Sequence, residues 1–239
     1  MFVISLWIGL CMILIRCEQS DGAAYRENIM SESVAFEYPS PLMSWDGMAR
    51  ASNDGAEVVV LGDGAGHASG SPDDDAESWL RSWSQSGWEQ FDLQFREVER
   101  QLESEGKRLV IRPSSGGMLS DAVCTLNWCA RGGGQSAQIL LDPIGWIVPS
   151  MLLDIEDHLD RIVELSLEMI ERGRVWGVML RSLGWNQDQT GFESRSLSQG
   201  EPDGGMILTK LLPLMHACHT HILVDASDIA RIEPGAASH

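Results

Sequence analysis

Residues 139–150 read ILLDPIGWIVPS, an apolar run that ends at Asp142 and then turns through Pro-Ile-Gly. A short, continuous apolar run closed by turn residues is typical of a strand that is buried on both faces, as in a parallel sheet. A carboxylate directly after such a strand can be a metal ligand, a catalytic group or a cap for the next turn. The role of Asp142 therefore bears on both the fold and the function of the chain.

The same pattern repeats along the chain. Apolar runs lie at 56–64, 107–115, 137–142, 174–180 and 221–225, and helical patterns lie at 75–105, 120–132, 155–173 and 206–219. This alternation of strand and helix is typical of a parallel sheet covered by helices, which a doubly wound sheet and a (β/α) barrel both provide. No GxGxxG motif opens a helix, which disfavours a dinucleotide-binding fold. The sequence therefore predicts an α/β protein with a (β/α) TIM-type barrel that can be incomplete or irregular at its N-terminus.

The domain limits follow from where this pattern begins and ends. We expect a poorly ordered segment or a misassigned start over 1–50, the barrel over 51–232 and a tail over 233–239. The first residues, MFVISLWIGLCMILI, are apolar, but no Lys or Arg precedes them and no small-residue cleavage site follows. The run is also shorter than the roughly 20 residues of a spanning helix. We expect a cytoplasmic protein without membrane contact, while a signal, an anchor or a start-site artefact stays open.

The charge balance limits the partners. The chain has 17 basic and 35 acidic side chains, which give a formal net charge of −18. Binding of nucleic-acid phosphate needs a surplus of Lys and Arg, so we expect no nucleic-acid partner. The five cysteines form neither a CxxC motif nor a regular framework, which favours reduced thiols in a reducing compartment. The sequence does not indicate an oligomeric state.

Polar side chains gather where the predicted strands end, on the face that carries the chemistry in a barrel. His67 lies in a Gly-rich loop and is a candidate ligand or base, with an exposed loop histidine as the alternative. Ser114 begins a Ser-Ser-Gly-Gly loop whose N–H groups can cradle an anion, with a plain connection as the alternative. Trp146 and Trp185 follow strands, where an aromatic face can stack on a sugar ring. The full set is Asp63, His67, Arg112, Ser114, Asp142, Trp146, Arg181, Ser182, Trp185 and Asp225.

Four stretches carry a resemblance to a known family. They read EVVVLGDGAGHASGSPDD, RLVIRPSSGGMLSD, ILLDPIGW and LLPLMHACHTHILVD, and together they span about 56–228. In order and spacing, the chain resembles strands three to eight of the xylose-isomerase-like barrel superfamily, which includes sugar-phosphate isomerases, epimerases and AP-endonuclease-type barrels. The resemblance implies a sugar-like small-molecule ligand. It also implies a divalent metal, held by a Glu, an Asp, a His and a second Glu at successive strand ends.

The ligand set of that family is only partly present. Its Asp corresponds to Asp142, its first Glu falls at Arg112, and its last Glu is at best Asp225. The histidine of its turn falls at Gly145 or Trp146. Mg²⁺ prefers about six oxygen donors and is repelled by a guanidinium. We therefore expect either no metal or a weakly held Mg²⁺ or Mn²⁺ on the two aspartates, and we expect Asp142 to pair with Arg112 from the adjacent strand.

Two functional hypotheses follow from the resemblance. The first is a sugar-phosphate isomerase/epimerase-like barrel with weak or absent metal-dependent activity, in which Asp142 and Asp225 transfer protons. The second is a catalytically inactive barrel that binds a carbohydrate-like ligand or acts as an interaction scaffold. Whether the chain is an enzyme stays open. In both hypotheses the substrate-binding candidates are Arg112, His67, Ser114, Trp146 and Trp185.

Overall fold

The computed structural model describes about two thirds of the chain. The described residues are 5–7, 10–16, 28–29, 34–41, 57–63, 83–131, 138–185, 192–197, 199–200, 203–218, 221–225 and 228, and up to residue 41 only the backbone strands are described. His67 and the tail at 233–239 lie outside these ranges. The chain divides into two compact units, which we call the middle unit, Glu32–Leu140, and the outer unit, Met1–Ser31 with Leu141–His239.

Helices and strands are mixed in both units. In chain order they are β1 Ser5–Trp7, β2 Leu10–Arg16, β3 Asn28–Ile29, β4 Val34–Pro41, β5 Val58–Gly62, α1 Gln85–Ser104, β6 Arg108–Arg112, α2 Ala122–Ala130, β7 Gln138–Leu141, α3 Ile155–Glu171, β8 Val175–Leu180, β9 Ser182–Trp185, β10 Phe192–Arg195, α4 Gly204–Ala217 and β11 His221–Asp225. Two 3-10 helices, Pro143–Trp146 and Pro149–Asp154, connect β7 to α3.

The middle unit contains a parallel sheet in the order β4-β5-β6-β7. As predicted, its strands are continuous apolar runs, and the first four residues of β5 are buried. Helix α1 begins after Ser84, whose Oγ accepts the N–H of Gly87 at 3.2 Å, and Gly106 follows its end with a φ of +73°. Such a left-handed glycine is a common helix terminator, because it has no Cβ to clash with the backbone.

An aromatic cluster forms the core between α1 and α2. The Trp128 ring centroid lies 5.5 Å from that of Phe91 and 5.3 Å from that of Phe95, both in edge-to-face geometry. The indole Nε1 of Trp128 donates to Oδ1 of Asp92 at 2.8 Å. This bond satisfies the polar atom of a buried Trp, so that the large ring contributes its full apolar surface to the core.

The outer unit combines parallel and antiparallel pairs. Strands β8 and β11 are parallel, whereas β2 pairs antiparallel with β1, β3 and β11, and β9 and β10 form a separate hairpin. All of β8 is buried. Helix α3 packs on α4, and Lys210 of α4 bonds Asp160 of α3 at 2.8 Å.

The predicted α/β class with parallel strands is confirmed, whereas a closed eight-stranded barrel is not observed in the described ranges. The structure adds elements that the residue pattern does not show. Strands β1–β4 lie within 1–50, β9 and β10 form a hairpin after β8, and Asp121 caps α2. None of the helices that the structure describes has the length and hydrophobicity of a membrane span. The domain limits at 50 and 232 stay a prediction.

We expect Trp128→Ala to lower the free energy of unfolding by about 3–5 kcal/mol, because it leaves a cavity between two helices. Urea denaturation followed by circular dichroism measures the change. The control is Leu93→Ala on α1, where the side chain is 64% exposed; we expect a change within about 0.5 kcal/mol. Equal effects of the two substitutions would contradict the assignment of Trp128 to the core.

Candidate functional site

Asp142 follows β7 and caps a 3-10 helix. Its side chain is fully buried, and its Oδ1 accepts the N–H of Gly145 at 3.0 Å. The helix begins with Pro143, whose missing N–H is not needed in a first turn. The structure therefore shows Asp142 as the cap of this 3-10 helix, which is one of the three roles that the sequence allows.

The same carboxylate forms a forked ion pair with Arg181, the residue that follows β8. Nε of Arg181 lies 2.8 Å from Oδ1 and 3.0 Å from Oδ2 of Asp142, and Nη2 lies 2.8 Å from Oδ2. Arg181 is only 12% exposed. A two-pronged pair of this kind is among the stronger charge-assisted hydrogen bonds, and it neutralises a charge that water does not reach.

This pair adds a partner of Asp142 that the sequence does not predict. The expected pairing with Arg112, the half-buried last residue of β6 in the middle unit, stays a prediction. Both arginines stand at the ends of apolar strands, so the residue pattern alone does not distinguish them. The structure places the guanidinium of Arg181 on the carboxylate.

The Asp142 pair does not fit a divalent cation. Each of its oxygens already accepts an N–H group, and the guanidinium lies within 3.0 Å. Within the described ranges, no group of three or more His, Cys, Asp or Glu side chains is arranged to hold a metal ion. The possibility of a weakly held Mg²⁺ or Mn²⁺ stays a prediction, because the side chain of Asp225 is not among those described.

Asp225 ends β11 beside the strand that precedes Arg181. In this parallel pair Val224 lies opposite Leu180, so Asp225 and Arg181 are the next residues of two adjacent strands. The carboxyl ends of parallel strands share one edge of a sheet. The backbone of the outer unit thus brings two of the strand-end residues to the same edge.

A second fully buried carboxylate, Asp63, lies in the middle unit directly after β5. Its Oδ2 accepts the N–H of Leu119 at 2.6 Å, and its Oδ1 accepts the hydroxyl of Ser114 at 3.2 Å. Its backbone carbonyl accepts the N–H of Met118 at 3.3 Å. Ser114, a predicted substrate-binding residue, therefore takes part in holding the loop that follows β6.

Burial raises the pKa of Asp63 to about 7, although the hydrogen bonds from Leu119 and Ser114 act to lower it. Loss of water destabilises the charged form of a carboxyl group, and the hydrogen bonds to Asp63 offset only part of that loss. The sequence predicts Asp63 at a strand end but indicates no role for it. Its position directly after a buried strand was the available signal.

Gly117 makes the approach to Asp63 possible. A Cβ at Gly117 would lie 2.0–2.2 Å from the three atoms of the Asp63 carboxyl group, whereas a Cβ at the neighbouring Gly116 would meet nothing within 4 Å. The absence of a side chain at Gly117 is therefore a steric requirement of the site.

A third buried carboxylate, Asp228, lies in the outer unit beyond β11. It accepts the N–H of Leu197, which follows the hairpin, at 2.6 Å. Like Asp63 and Asp142, it holds a loop by bonding a backbone amide.

The two tryptophans that were expected to stack on a ligand have different environments. Trp146 is 1% exposed, because the 3-10 helix carries its indole into the core, and its contact with a ligand stays a prediction. Trp185 is 39% exposed at the end of β9. It lies opposite Phe192 in the hairpin, with ring centroids 4.7 Å apart, and presents an aromatic surface to solvent.

No protein family matches the sequence, and no curated protein matches it significantly. Among solved structures, it is similar to the mannonate dehydratase from Streptococcus suis serotype 2, with a TM-score of 0.40 and 12% sequence identity. The match covers 66% of this chain and 54% of the dehydratase, so the chain spans about half the length of that protein. A similarity of this degree assigns neither a family nor an activity.

We expect Gly117→Ala to destabilise the protein by about 1–3 kcal/mol or more, because the new methyl group overlaps a buried carboxyl group. The matched control is Gly116→Ala, which adds the same methyl group to open space, with an expected change within about 0.5 kcal/mol. Urea denaturation compares the two. Equal stability of both variants would contradict the close approach.

We expect Arg181→Gln to lower the free energy of unfolding by about 3–5 kcal/mol, because it removes the forked counter-charge from the buried Asp142 carboxylate. Arg161→Gln makes the same change in an exposed ion pair with Glu164, where less than about 1 kcal/mol is expected. Adding Asp142→Asn to Arg181→Gln should recover part of the loss. A loss no larger than that of Arg161→Gln would show that the Asp142–Arg181 pair contributes little to the free energy of unfolding.

Proposed function

We propose that this protein binds a small sugar-like molecule and that Asp142 supports the fold rather than the chemistry. The observation that carries this proposal is the use of the Asp142 carboxylate: it is buried, and Arg181 and Gly145 donate to it. A metal ligand needs an open lone pair, and a proton-transfer group must come within hydrogen-bond reach of its substrate. The buried and hydrogen-bonded carboxylate of Asp142 offers neither an open lone pair nor access to a substrate.

We further propose that the parallel strands belong to an incomplete (β/α) barrel of the xylose-isomerase-like type. Its support is the order β4-β5-β6-β7, together with the strand-end positions of Asp63, Arg112 and Asp142. In barrels of this type, ligands bind at the carboxyl ends of the strands.

We propose that the ligand stacks on the indole ring of Trp185. Its indole is partly exposed, and Phe192 supports it from the opposite strand. Strand β9 begins directly after Arg181, so Trp185 stands within about 13 Å of that strand end along an extended chain. Aromatic side chains offer large, rigid contact surfaces, which suits the apolar face of a sugar ring.

A second candidate function, isomerase or epimerase activity, rests on Asp225. Its backbone lies at the carboxyl end of β11, beside the strand end that carries Arg181. In this alternative Asp225, rather than Asp142, exchanges a proton with a carbon next to a carbonyl group. Substrate-binding roles for Arg112 and His67 are part of either candidate and rest on the sequence alone.

Fluorescence titration with D-xylose and with D-ribose 5-phosphate tests the binding proposal. We expect at least one of the two to bind and Trp185→Ala to weaken binding about 5- to 10-fold, since an aromatic contact contributes about 1 kcal/mol. The control is Trp83→Ala, which removes an indole that is 43% exposed in the middle unit and should leave Kd unchanged. Absence of binding by both sugars, or equal weakening by both substitutions, would refute the proposal.

Two measurements separate the candidates. Saturating Mn²⁺ should leave the melting temperature of the wild-type protein unchanged, whereas a cation at a hundredfold excess over its Kd stabilises by about 2.7 kcal/mol. Incubation of D-ribose 5-phosphate with the protein in D₂O, followed by proton NMR, detects exchange next to the carbonyl. Exchange that is lost in Asp225→Asn would favour the isomerase candidate, and a Mn²⁺ shift that is lost in Asp142→Asn would overturn the structural role of Asp142.

A further inference from the structure

The connection between β7 and α3 carries an apolar segment that faces solvent. The 3-10 helix Pro149–Asp154 has no buried residue, although Met151, Leu152 and Leu153 follow one another in it. Leu153 is 94% exposed, the largest value among the large hydrophobic side chains that the structure describes. A single exposed leucine is ordinary, but a run of three apolar residues without one buried member is typical of a surface that a partner covers.

Carboxylates follow this apolar segment directly. Asp154 is exposed, and α3 then begins with Glu156 and Asp157, which are exposed as well. The stretch 149–160 contains four acidic residues and neither Lys nor Arg. Acidic residues in a first turn stabilise a helix through its dipole, which accounts for Glu156 and Asp157 but not for the leucine beside them.

The nearest basic side chains are bound to other carboxylates. Nζ of Lys210 lies 2.8 Å from Oδ2 of Asp160 and 3.3 Å from Oε2 of Glu156. Arg161, further along α3, pairs with Glu164. These pairs hold α4 on α3 and neutralise part of the charge of α3.

Asp154 and Asp157 keep their charge beside the apolar segment. Within the described ranges neither carboxylate belongs to an ion pair, and Asp154 makes no capping hydrogen bond to α3. We propose that residues 149–157, which we call the docking surface, bind a basic amphipathic helix of a partner protein. Apolar side chains of that helix cover Leu153, and its lysines or arginines face the two carboxylates. The proposal does not depend on the sugar-binding function.

The charge of the chain favours this occupant over others. With a net charge of −18, a second copy of the chain would place the same carboxylates against the docking surface. Anionic lipids and nucleic acids would be repelled for the same reason. A basic segment is attracted from a distance and then gains the apolar contact, so that charge complementarity and burial act together.

Fluorescence anisotropy of a dye-labelled model peptide, measured on the full chain, tests the docking surface. The probe is a helix of about four turns with leucine at positions i, i+3, i+4 and i+7 and lysine elsewhere. We expect saturable binding that weakens as salt is added, because the Debye length falls to about 10 Å at 0.1 M. A peptide with serine in place of leucine, and another with glutamate in place of lysine, should each bind at least about tenfold more weakly.

A matched pair of leucine variants assigns the apolar contact. We expect Leu153→Ser to weaken binding of the probe about 5-fold or more, because it removes the exposed apolar anchor. The control is Leu93→Ser on α1, which changes a leucine that is 64% exposed and should alter Kd by less than about twofold. Circular dichroism confirms that both variants are folded.

A matched pair of charge variants assigns the electrostatic contact. Asp154→Asn combined with Asp157→Asn should reduce the salt dependence of binding, because it removes the two carboxylates that face the peptide. Glu89→Gln combined with Glu103→Gln on α1 changes the net charge equally and should leave the salt dependence as in the wild-type protein.

Four results would overturn the proposal. They are absence of binding, equal binding of the serine peptide, equal binding of the glutamate peptide, and equal weakening by Leu153→Ser and Leu93→Ser. The second and fourth would mean that the probe is attracted to the acidic protein as a whole. Analytical ultracentrifugation of the protein alone adds a further test: self-association that Leu153→Ser abolishes would assign the docking surface to a second copy of the chain and would overturn the proposal as well.

Discussion

The free energy of burying a carboxylate governs how this chain holds its loops. Moving an ionised carboxylate out of water costs several kcal/mol unless it is paired or retains its proton. Asp63, Asp142 and Asp228 are all fully buried, and each accepts a backbone N–H from a loop. Asp142 is stabilised by the charge of Arg181, whereas Asp63 is held by hydrogen bonds from Leu119 and Ser114, and burial raises its pKa to about 7. The strand ends are therefore fixed by polar groups that are compensated in different ways.

This use of strand-end aspartates limits the chemistry that they can perform. A carboxylate that anchors a loop has its lone pairs directed at protein donors, and a ligand or a metal must then compete with those donors. Asp142 shows the conflict most clearly, because the cation beside it is an arginine side chain. Side chains that remain exposed, such as Trp185, are better placed to meet a ligand. Under the proposed binding function, contact with the ligand and anchoring of the loops fall to different side chains.

The sequence predicts the buried elements well, because an apolar strand or an amphipathic helix has its own residue pattern. Strands β5–β8 and β11 and helices α3 and α4 lie where those patterns stand. The pairing of Arg181 with Asp142 is not predictable, since Arg112 and Arg181 occupy equivalent positions in the pattern. The burial of Trp146 is not predictable from its position after a strand, because the 3-10 helix, which a Pro-Ile-Gly sequence does not reveal, sets the direction of its side chain. The hairpin was missed because its short strands lie in a stretch rich in turn residues.

Asp142 and Asp63 each lie against a glycine whose missing side chain makes room for the carboxyl group. The sequence shows this relation for Asp142 but not for Asp63. A Cβ at Gly145 would lie 2.8 Å from Oδ2 of Asp142, and a Cβ at Gly117 would lie 2.0 Å from Oδ1 of Asp63. In each case the missing side chain lets the backbone approach the carboxyl group closely enough for amides to donate to it. Asp142 and Gly145 are three residues apart, so their relation is local and visible as a turn. Asp63 and Gly117 lie on different strand ends, and only the parallel pairing of β5 with β6 brings them together.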